Sequence, residues 1–255
     1  MPILEVNGLT KNFIGLVALN KIDIKIEQGE LVALIGPNGS GKSTLFNCIT
    51  GFLKPEEGNV IFQGRDITGL PPHKIALMGI SRSFQMALVF PKLTLLENLT
   101  LAIQQRQEEN LPGRFFMTKR IKAFEEQAVE RAREILELIE LTEFCNAPAA
   151  SLGHGQLKLF QFGMALMSNP DVLMLDEPSA ATDAVMVKKM KNAIVALNKQ
   201  GKTVLFVEHD MKVVMDIAEH IVVLDHGQKI AEGTPSEIKN NQLVIEAYFG
   251  RQSVN

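Results

Sequence analysis

Cysteine is scarce in this 255-residue chain: Cys48 and Cys145 are the only two, far apart and in no CxxC pair. That scarcity excludes a disulfide framework, argues against a structural zinc site and fits a reducing compartment. Long apolar runs are missing too. No stretch approaches the ~20 apolar residues of a membrane span, and the opening Met1-Pro2-Ile3-Leu4-Glu5 lacks the charged and apolar regions of a signal peptide. Any membrane association therefore has to run through a partner. Nor is there a surplus of positive charge: 26 Lys+Arg against 29 Asp+Glu give a net charge of -3, without the basic block that holds nucleic acid nonspecifically. Nucleic acid is not the default partner. What is present is ample core material, 46% hydrophobic against 22% charged residues, which excludes disordered and collagen-like chains.

Short apolar, β-branched runs at 22–26, 31–35, 59–62, 172–175, 203–207 and 221–224 alternate with helical patterns. That rhythm predicts an α/β fold with a partly parallel sheet. Gly8, Gly29, Gly58 and Gly64 punctuate the amino-terminal region, which predicts hairpins and an antiparallel β edge there. From about Glu97 to Leu166 helical spacing takes over, with Ala128, Ala132, Ile135, Leu136 and Ile139 on one face. The chain thus reads as an α/β core at 1–95 and 167–240, a helical subdomain inserted at 96–166, and a tail at 241–255. The tail holds the single tyrosine, Tyr248, and reads as a packed terminal helix. Inside the insertion, Leu111-Pro112-Gly113 breaks the pattern before Arg114-Phe115-Phe116-Met117, a loop whose aromatics either tuck into the subdomain or meet a partner.

The run Leu31-Val32-Ala33-Leu34-Ile35 leads into Gly36-Pro37-Asn38-Gly39-Ser40-Gly41-Lys42-Ser43-Thr44, the pattern GxxxxGK[ST] in a strand-then-helix setting. Its glycines let successive backbone N–H groups turn inward around phosphate oxygens, and the helix beginning near Lys42 aims its positive end at the same anion. Lys42 suits the β- and γ-phosphates and Ser43 a Mg²⁺ ion. A second apolar strand, Val172-Leu173-Met174-Leu175, delivers Asp176-Glu177-Pro178 at its carboxyl end, where open α/β sheets gather their ligands. Asp176 fits a Mg²⁺ role, direct or through water, and Glu177 can polarise an attacking water as a general base.

With these two elements the sequence resembles the nucleotide-binding subunit of ATP-binding-cassette (ABC) transporters over nearly its whole length, on five ordered motifs. Ser83-Phe84-Gln85 is similar to the family's Q-loop, which implies that Gln85 reaches Mg²⁺ and the attacking water. Leu152-Gly153-His154-Gly155-Gln156 stands where the family carries its LSGGQ signature, and Ser179-Ala180-Ala181-Thr182-Asp183 resembles its D-loop. Glu208-His209-Asp210 matches the switch histidine, a group able to hydrogen-bond a γ-phosphate oxygen. Phe13 occupies the place of the aromatic that stacks on adenine, although on composition alone it reads as core. His73, His220 and His226 gain no such support and read as structural.

Within the family the details look most like the LivG-type ATPases of branched-chain (hydrophobic) amino acid importers. Phe46-Asn47-Cys48-Ile49-Thr50-Gly51-Phe52, Leu93-Thr94-Leu95-Leu96-Glu97-Asn98-Leu99 and the terminal Ala247-Tyr248-Phe249-Gly250 carry that likeness. The resemblance implies ATP and Mg²⁺, two membrane permeases, a second ATPase subunit, an indirectly coupled solute-binding protein, and a place on the cytoplasmic face of the inner membrane. The apolar Met86-Ala87-Leu88-Val89-Phe90-Pro91 after Gln85 reads either as subdomain core or as the lining of a groove for a permease helix. One departure stands out: Gly153 replaces the signature serine, and Lys158 is the lone cation of the following apolar run. A heterodimer with unequal sites follows as an expectation. Lipopolysaccharide-export ATPases and soluble ABC-type switches remain alternatives; small-molecule kinases with a phosphate loop leave the signature-like segment and His209 without a role.

Overall fold

A computed structural model describes residues 1–83, 89–103, 118–180 and 182–249, the side chains of 118–122 and 249 excepted. Its strands are β1 (Pro2–Phe13), β2 (Leu16–Glu27), β3 (Leu31–Ile35), β4 (Glu57–Phe62), β5 (Arg65–Asp66), β6 (Ile80–Ser83), β7 (Val172–Asp176), β8 (Thr203–Val207), β9 (His220–Asp225) and β10 (Gln228–Gly233). Between and after them lie α1 (Lys42–Ile49), α2 (Pro72–Met78), α3 (Leu95–Ala102), α4 (Thr118–Leu138), α5 (His154–Leu166), α6 (Ala184–Lys199), α7 (Met211–Ile217), α8 (Pro235–Lys239) and α9 (Gln242–Phe249).

Six strands form the central sheet in the order β10-β9-β3-β8-β7-β6; all pairs are parallel except β10 with β9. The antiparallel strands of the amino-terminal region form a sheet of their own, β2-β1-β4-β5, rather than extending the parallel one. β3, β7, β8 and β9 are apolar at nearly every position because both faces of a parallel sheet are covered. Alternate residues divide between two cores. Val32, Leu34, Met174, Leu205 and Val222 pack with Leu9, Ile22, Phe46 and Phe62 toward the antiparallel sheet. Ala33, Leu175, Phe206 and Val223 face the other way, into a core shared with Leu99, Ile135, Phe160, Ile194 and Val214 of the helices.

The residues placed on one helical face by their spacing, Ala128, Ala132, Ile135, Leu136 and Ile139, are all at most 3% exposed. α5 approaches this face so closely that a Cβ at Gly163 would sit 2.9 Å from Ile139 Cδ1. α3 begins with a reciprocal cap, Glu97 N–H donating to Thr94 Oγ1 (3.1 Å) and Thr94 N–H to Glu97 Oε2 (2.7 Å). Val244 of α9 joins the helical core, so this portion of the tail is packed. Residues 111–117, with the Phe115-Phe116 pair, lie outside the described residues.

Cys48, on α1, is 1% exposed, and burial pushes its thiol up to about 11. Alkylation of the native protein at mildly alkaline pH is expected to leave Cys48 unmodified, and denaturant to make it reactive; peptide mass spectrometry reads both states.

Candidate functional site

The phosphate loop leaves the carboxyl end of β3 and closes onto α1 through three glycines, of which Gly36 and Gly41 leave no room for a side chain. Gly36, at φ 151°, would place a Cβ 2.0 Å from the Leu224 carbonyl oxygen; Gly41, at φ 106°, would place one 2.6 Å from that of Ala18. Lys42 is 7% exposed and its ammonium donates to the carbonyls of Gly36 (2.7 Å) and Pro37 (2.9 Å). Burial lowers its pKa from the ordinary lysine value, partly offset by the negative charges of Glu177 and Asp176.

The loop floors an open cleft of ≈ 620 Å³ lined by Asn38, Gly39, Ser40, Gly41, Lys42, Ser43 and Thr44, with Phe13, Glu177 and His209 on its walls. Gly36 and Pro37 are not among the lining residues. Phe13 is 41% exposed, and the Lys11 ammonium stands 5.3 Å from its ring centroid. The composition reading of Phe13 as core is thereby overturned, because the β1–β2 hairpin carries it past the edge of the packed sheet. Glu177 follows β7 in the left-handed region, at φ 50°, with its N–H bonded to the Val207 carbonyl (2.9 Å). Its Oε1 is 2.8 Å from His209 Nε2. Asp176 lies just below, its Oδ2 accepting from Arg82 Nη2 at 2.8 Å while Arg82 Nη1 reaches Asn47 Oδ1 (2.6 Å).

A cleft that offers a glycine-rich loop at a helix start, a buried cation, a flat exposed ring, a strand-end carboxylate and a histidine suits a nucleoside triphosphate. The ABC transporter profile matches residues 19–180, and a second profile, for the branched-chain amino acid ATP-binding cassette transporter, matches 228–253. The chain is 43% identical over 250 residues to the high-affinity branched-chain amino acid transport ATP-binding protein BraF of Pseudomonas aeruginosa, covering 98% of each chain. It is 40% identical, with the same coverage, to LivG of Escherichia coli K12, which carries the same description. The chain belongs to the ABC transporter family. Among solved structures, the crystal structure of the ADP conformation of an ATP-binding cassette of an ABC transporter superposes with a TM-score of 0.85 at 36% identity, covering 98% of this chain and 100% of that one. The protein is therefore a nucleotide-binding cassette and an ATPase, and its mixed α/β fold is that of the family.

In the cassette the signature residues stand apart from the phosphate cleft. None of Gly153, His154, Gly155 and Gln156 lines it; they begin α5, where Gly153 N–H donates to Gln156 Oε1 (2.9 Å). Gly155 presses on α6, since a Cβ there would meet Met186 Cγ at 2.6 Å. The Ser151 hydroxyl donates to the Pro148 carbonyl (2.7 Å), within its own turn. Gln85 lies outside the described residues, as does Met86-Ala87-Leu88. Val89 packs against the helical core, whereas Phe90 is 45% exposed.

Sequence reasoning missed several neighbours of the cleft. His226, structural by its sequence context, lines it from the β9–β10 turn, which is pinned to the phosphate loop by Gly227 N–H on the Ser40 carbonyl (3.1 Å). Leu16, Val17 and Ala18 line it from β2, and Arg82 fixes Asp176. No motif announces these residues; they arrive through strand pairing. Among the described residues no group of three or more His, Cys, Asp and Glu side chains forms a metal cage, and no helix is long and apolar enough to cross a membrane.

Proposed function

We propose that the cassette powers branched-chain amino acid import, binding two ATP molecules with a second ATPase subunit at the cytoplasmic face of the membrane beneath two permeases. The 43% identity to BraF over 98% of each chain supports the solute class, and the separation of signature from phosphate cleft supports the pairing. A cleft open on one side is completed when a partner's signature closes over it, and closure is the step that moves the permeases. In that cycle the core (1–95 and 167–240) binds ATP, the helical subdomain (96–166) presents the signature to the partner, and the tail (241–255) adds α9, whose Val244 joins the core.

Backbone N–H groups of residues 36–44 and the Lys42 ammonium hold the phosphates, and Phe13 stacks on the adenine. Glu177 takes the proton from the attacking water, with His209 holding the Glu177 carboxylate and the γ-phosphate in one geometry. Mg²⁺ fits the oxygen donors present, the exposed Ser43 hydroxyl and the Asp176 carboxylate, because a magnesium ion in such sites takes most of its remaining ligands from phosphate and water. The ion would supply charge neutralisation on the phosphates, and family resemblance implies that Gln85 would reach it. Phe13→Ala is expected to weaken ATP binding about fivefold to 100-fold, the worth of one base–aromatic stack, read by titration with a fluorescent nucleotide.

A groove of ≈ 290 Å³ lined by Phe52, His73, Ala76, Arg82, Ser83 and Met164, between α2, β6 and α5, is the seat for a permease helix. Ser83 places it at the start of the Q-loop, where nucleotide state can reach it. Deleting the gene is expected to abolish high-affinity uptake of radiolabelled leucine by cells; unchanged uptake of all branched-chain amino acids would refute the solute assignment.

The partner is a different ATPase subunit. Gly153 offers no hydroxyl to the opposite γ-phosphate, and Ser151 is already committed to Pro148. Losing one donor to a charged phosphate costs about 1.5–3 kcal/mol, so the site completed by this chain's signature is the weaker of two. A serine fits at 153, since φ there is -67° and a Cβ meets only Gln156 Oε1, at 3.5 Å. Gly153→Ser is expected to leave hydrolysis unchanged or raise it, and a large loss in steady-state phosphate release would contradict the unequal-site arrangement.

A further inference from the structure

Glu208, the residue before His209, is 3% exposed, and a buried carboxylate is costly unless every oxygen finds a donor. Its Oε1 accepts from both Ser179 N–H (2.8 Å) and Ser179 Oγ (2.5 Å), and its Oε2 from His209 N–H (3.2 Å). Each donor belongs to a segment carrying catalytic machinery: Ser179 is two residues past Glu177, and His209 faces Glu177 across the cleft. The turn between is closed by Ala180 N–H on the Glu177 carbonyl (3.2 Å). The Lys158 ammonium, from the signature helix α5, donates to the Ala180 carbonyl.

Glu177 itself sits at φ 50°, a conformation that a non-glycine residue holds only when its surroundings impose it. The main-chain bonds of the turn supply some of this constraint. Two side chains also hold this turn, Glu208 through Ser179 and Lys158 through the Ala180 carbonyl. We propose that Glu208 is a positioning residue for ATP hydrolysis, holding Glu177 over the γ-phosphate through Ser179, with Lys158 gripping the same turn from the signature helix. Charge-assisted bonds suit the task, being shorter and stiffer than neutral ones. The arrangement also ties the signature helix to the base of the same subunit, so movement of α5 on pairing reaches Glu177 through Lys158 and Ala180.

This inference rests on the reading of Glu177 as the general base, and the test separates the two. In the full-length chain paired with the second ATPase subunit of its transporter, Glu208→Ala is expected to lower single-turnover hydrolysis about 100-fold, the cost of misplacing a catalytic group by roughly 1 Å. ATP affinity stays within about threefold, because no residue of the phosphate loop is touched. Glu208→Gln, which keeps an acceptor for Ser179, recovers some of the loss. Lys158→Met lowers the rate in the same direction by a smaller factor. Adding Glu208→Ala to Glu177→Gln brings no further fall, since no carboxylate remains to be misplaced; a role confined to folding would add its own loss. Should Glu208→Ala fail to fold, Ser179→Ala removes one of the three donors and carries the same comparison. Wild-type hydrolysis in Glu208→Ala, or a rate that falls only in step with ATP affinity, overturns the inference. Full activity in Glu177→Gln would instead sink the base assignment on which it rests.

Discussion

Glu177→Gln is expected to slow ATP hydrolysis by about 100-fold to 10,000-fold, the range contributed by a positioned general base, while ATP affinity stays within about threefold. The substitution keeps the size and shape of the side chain and a carbonyl oxygen able to accept from His209, so the 2.8 Å contact to Nε2 can persist. What disappears is the capacity to take a proton from water. Affinity is held elsewhere, by the phosphate loop and Phe13, which Glu177 does not touch. Phosphate release and nucleotide titration measure the two quantities separately; equal losses in both would mean that Glu177 acts through binding rather than chemistry.

The same variant reports on pairing, because a subunit that binds ATP without spending it accumulates in the closed state. Light scattering with Mg-ATP is expected to show the Glu177→Gln chain alone as a monomer, and a pair only once a second kind of ATPase subunit is supplied. An ATP-driven dimer of this chain by itself would show that Gly153, with the N-terminus of α5, suffices for closure.

Much of this site is legible without coordinates because its chemistry is local in sequence. Residues 36–44 form their loop from a single contiguous run, and Asp176-Glu177 follow directly on an apolar strand, so pattern alone locates donors and carboxylates. Doubly covered strands such as β3 and β8 are equally readable, since burial on both faces leaves an unbroken apolar run. The features that stay hidden depend on distant segments meeting. β1 has an irregular burial pattern and mixes in Asn7, Thr10, Lys11 and Asn12, and the placement of Phe13 depends on its pairing with β2. Arg82 meets Asp176 because β6 pairs with β7, and Glu208 meets Ser179 because β7 lies beside β8. His226 gives no signal at all: an exposed histidine in a turn becomes a wall of the cleft through the backbone bond from Gly227 to Ser40.

Lys42→Ala is expected to act on the opposite quantity from Glu177→Gln, weakening ATP binding by about 30-fold or more, as removing one partner of a desolvated charge pair costs about 2–5 kcal/mol. The ammonium rests on the Gly36 and Pro37 carbonyls, partners weaker than a triphosphate. Binding ATP gives a buried cation a better anion and so stabilises its charged form. The consequence for pH has a definite sign. Burial sets the free-state pKa of Lys42 below the ordinary lysine value, and bound phosphate raises it. Above the free-state pKa the protein must take up a proton to bind, so affinity falls as pH rises, starting below the usual lysine range. Lys42→Arg should not rescue, because the guanidinium is larger than the space between two loop carbonyls was shaped to hold and spreads its charge over a planar fork. Nucleotide titration from neutral to alkaline pH is expected to show this decline in the wild type and its absence in Lys42→Ala, whose residual affinity owes nothing to that proton; a wild-type profile flat across the same range would place the binding cation elsewhere.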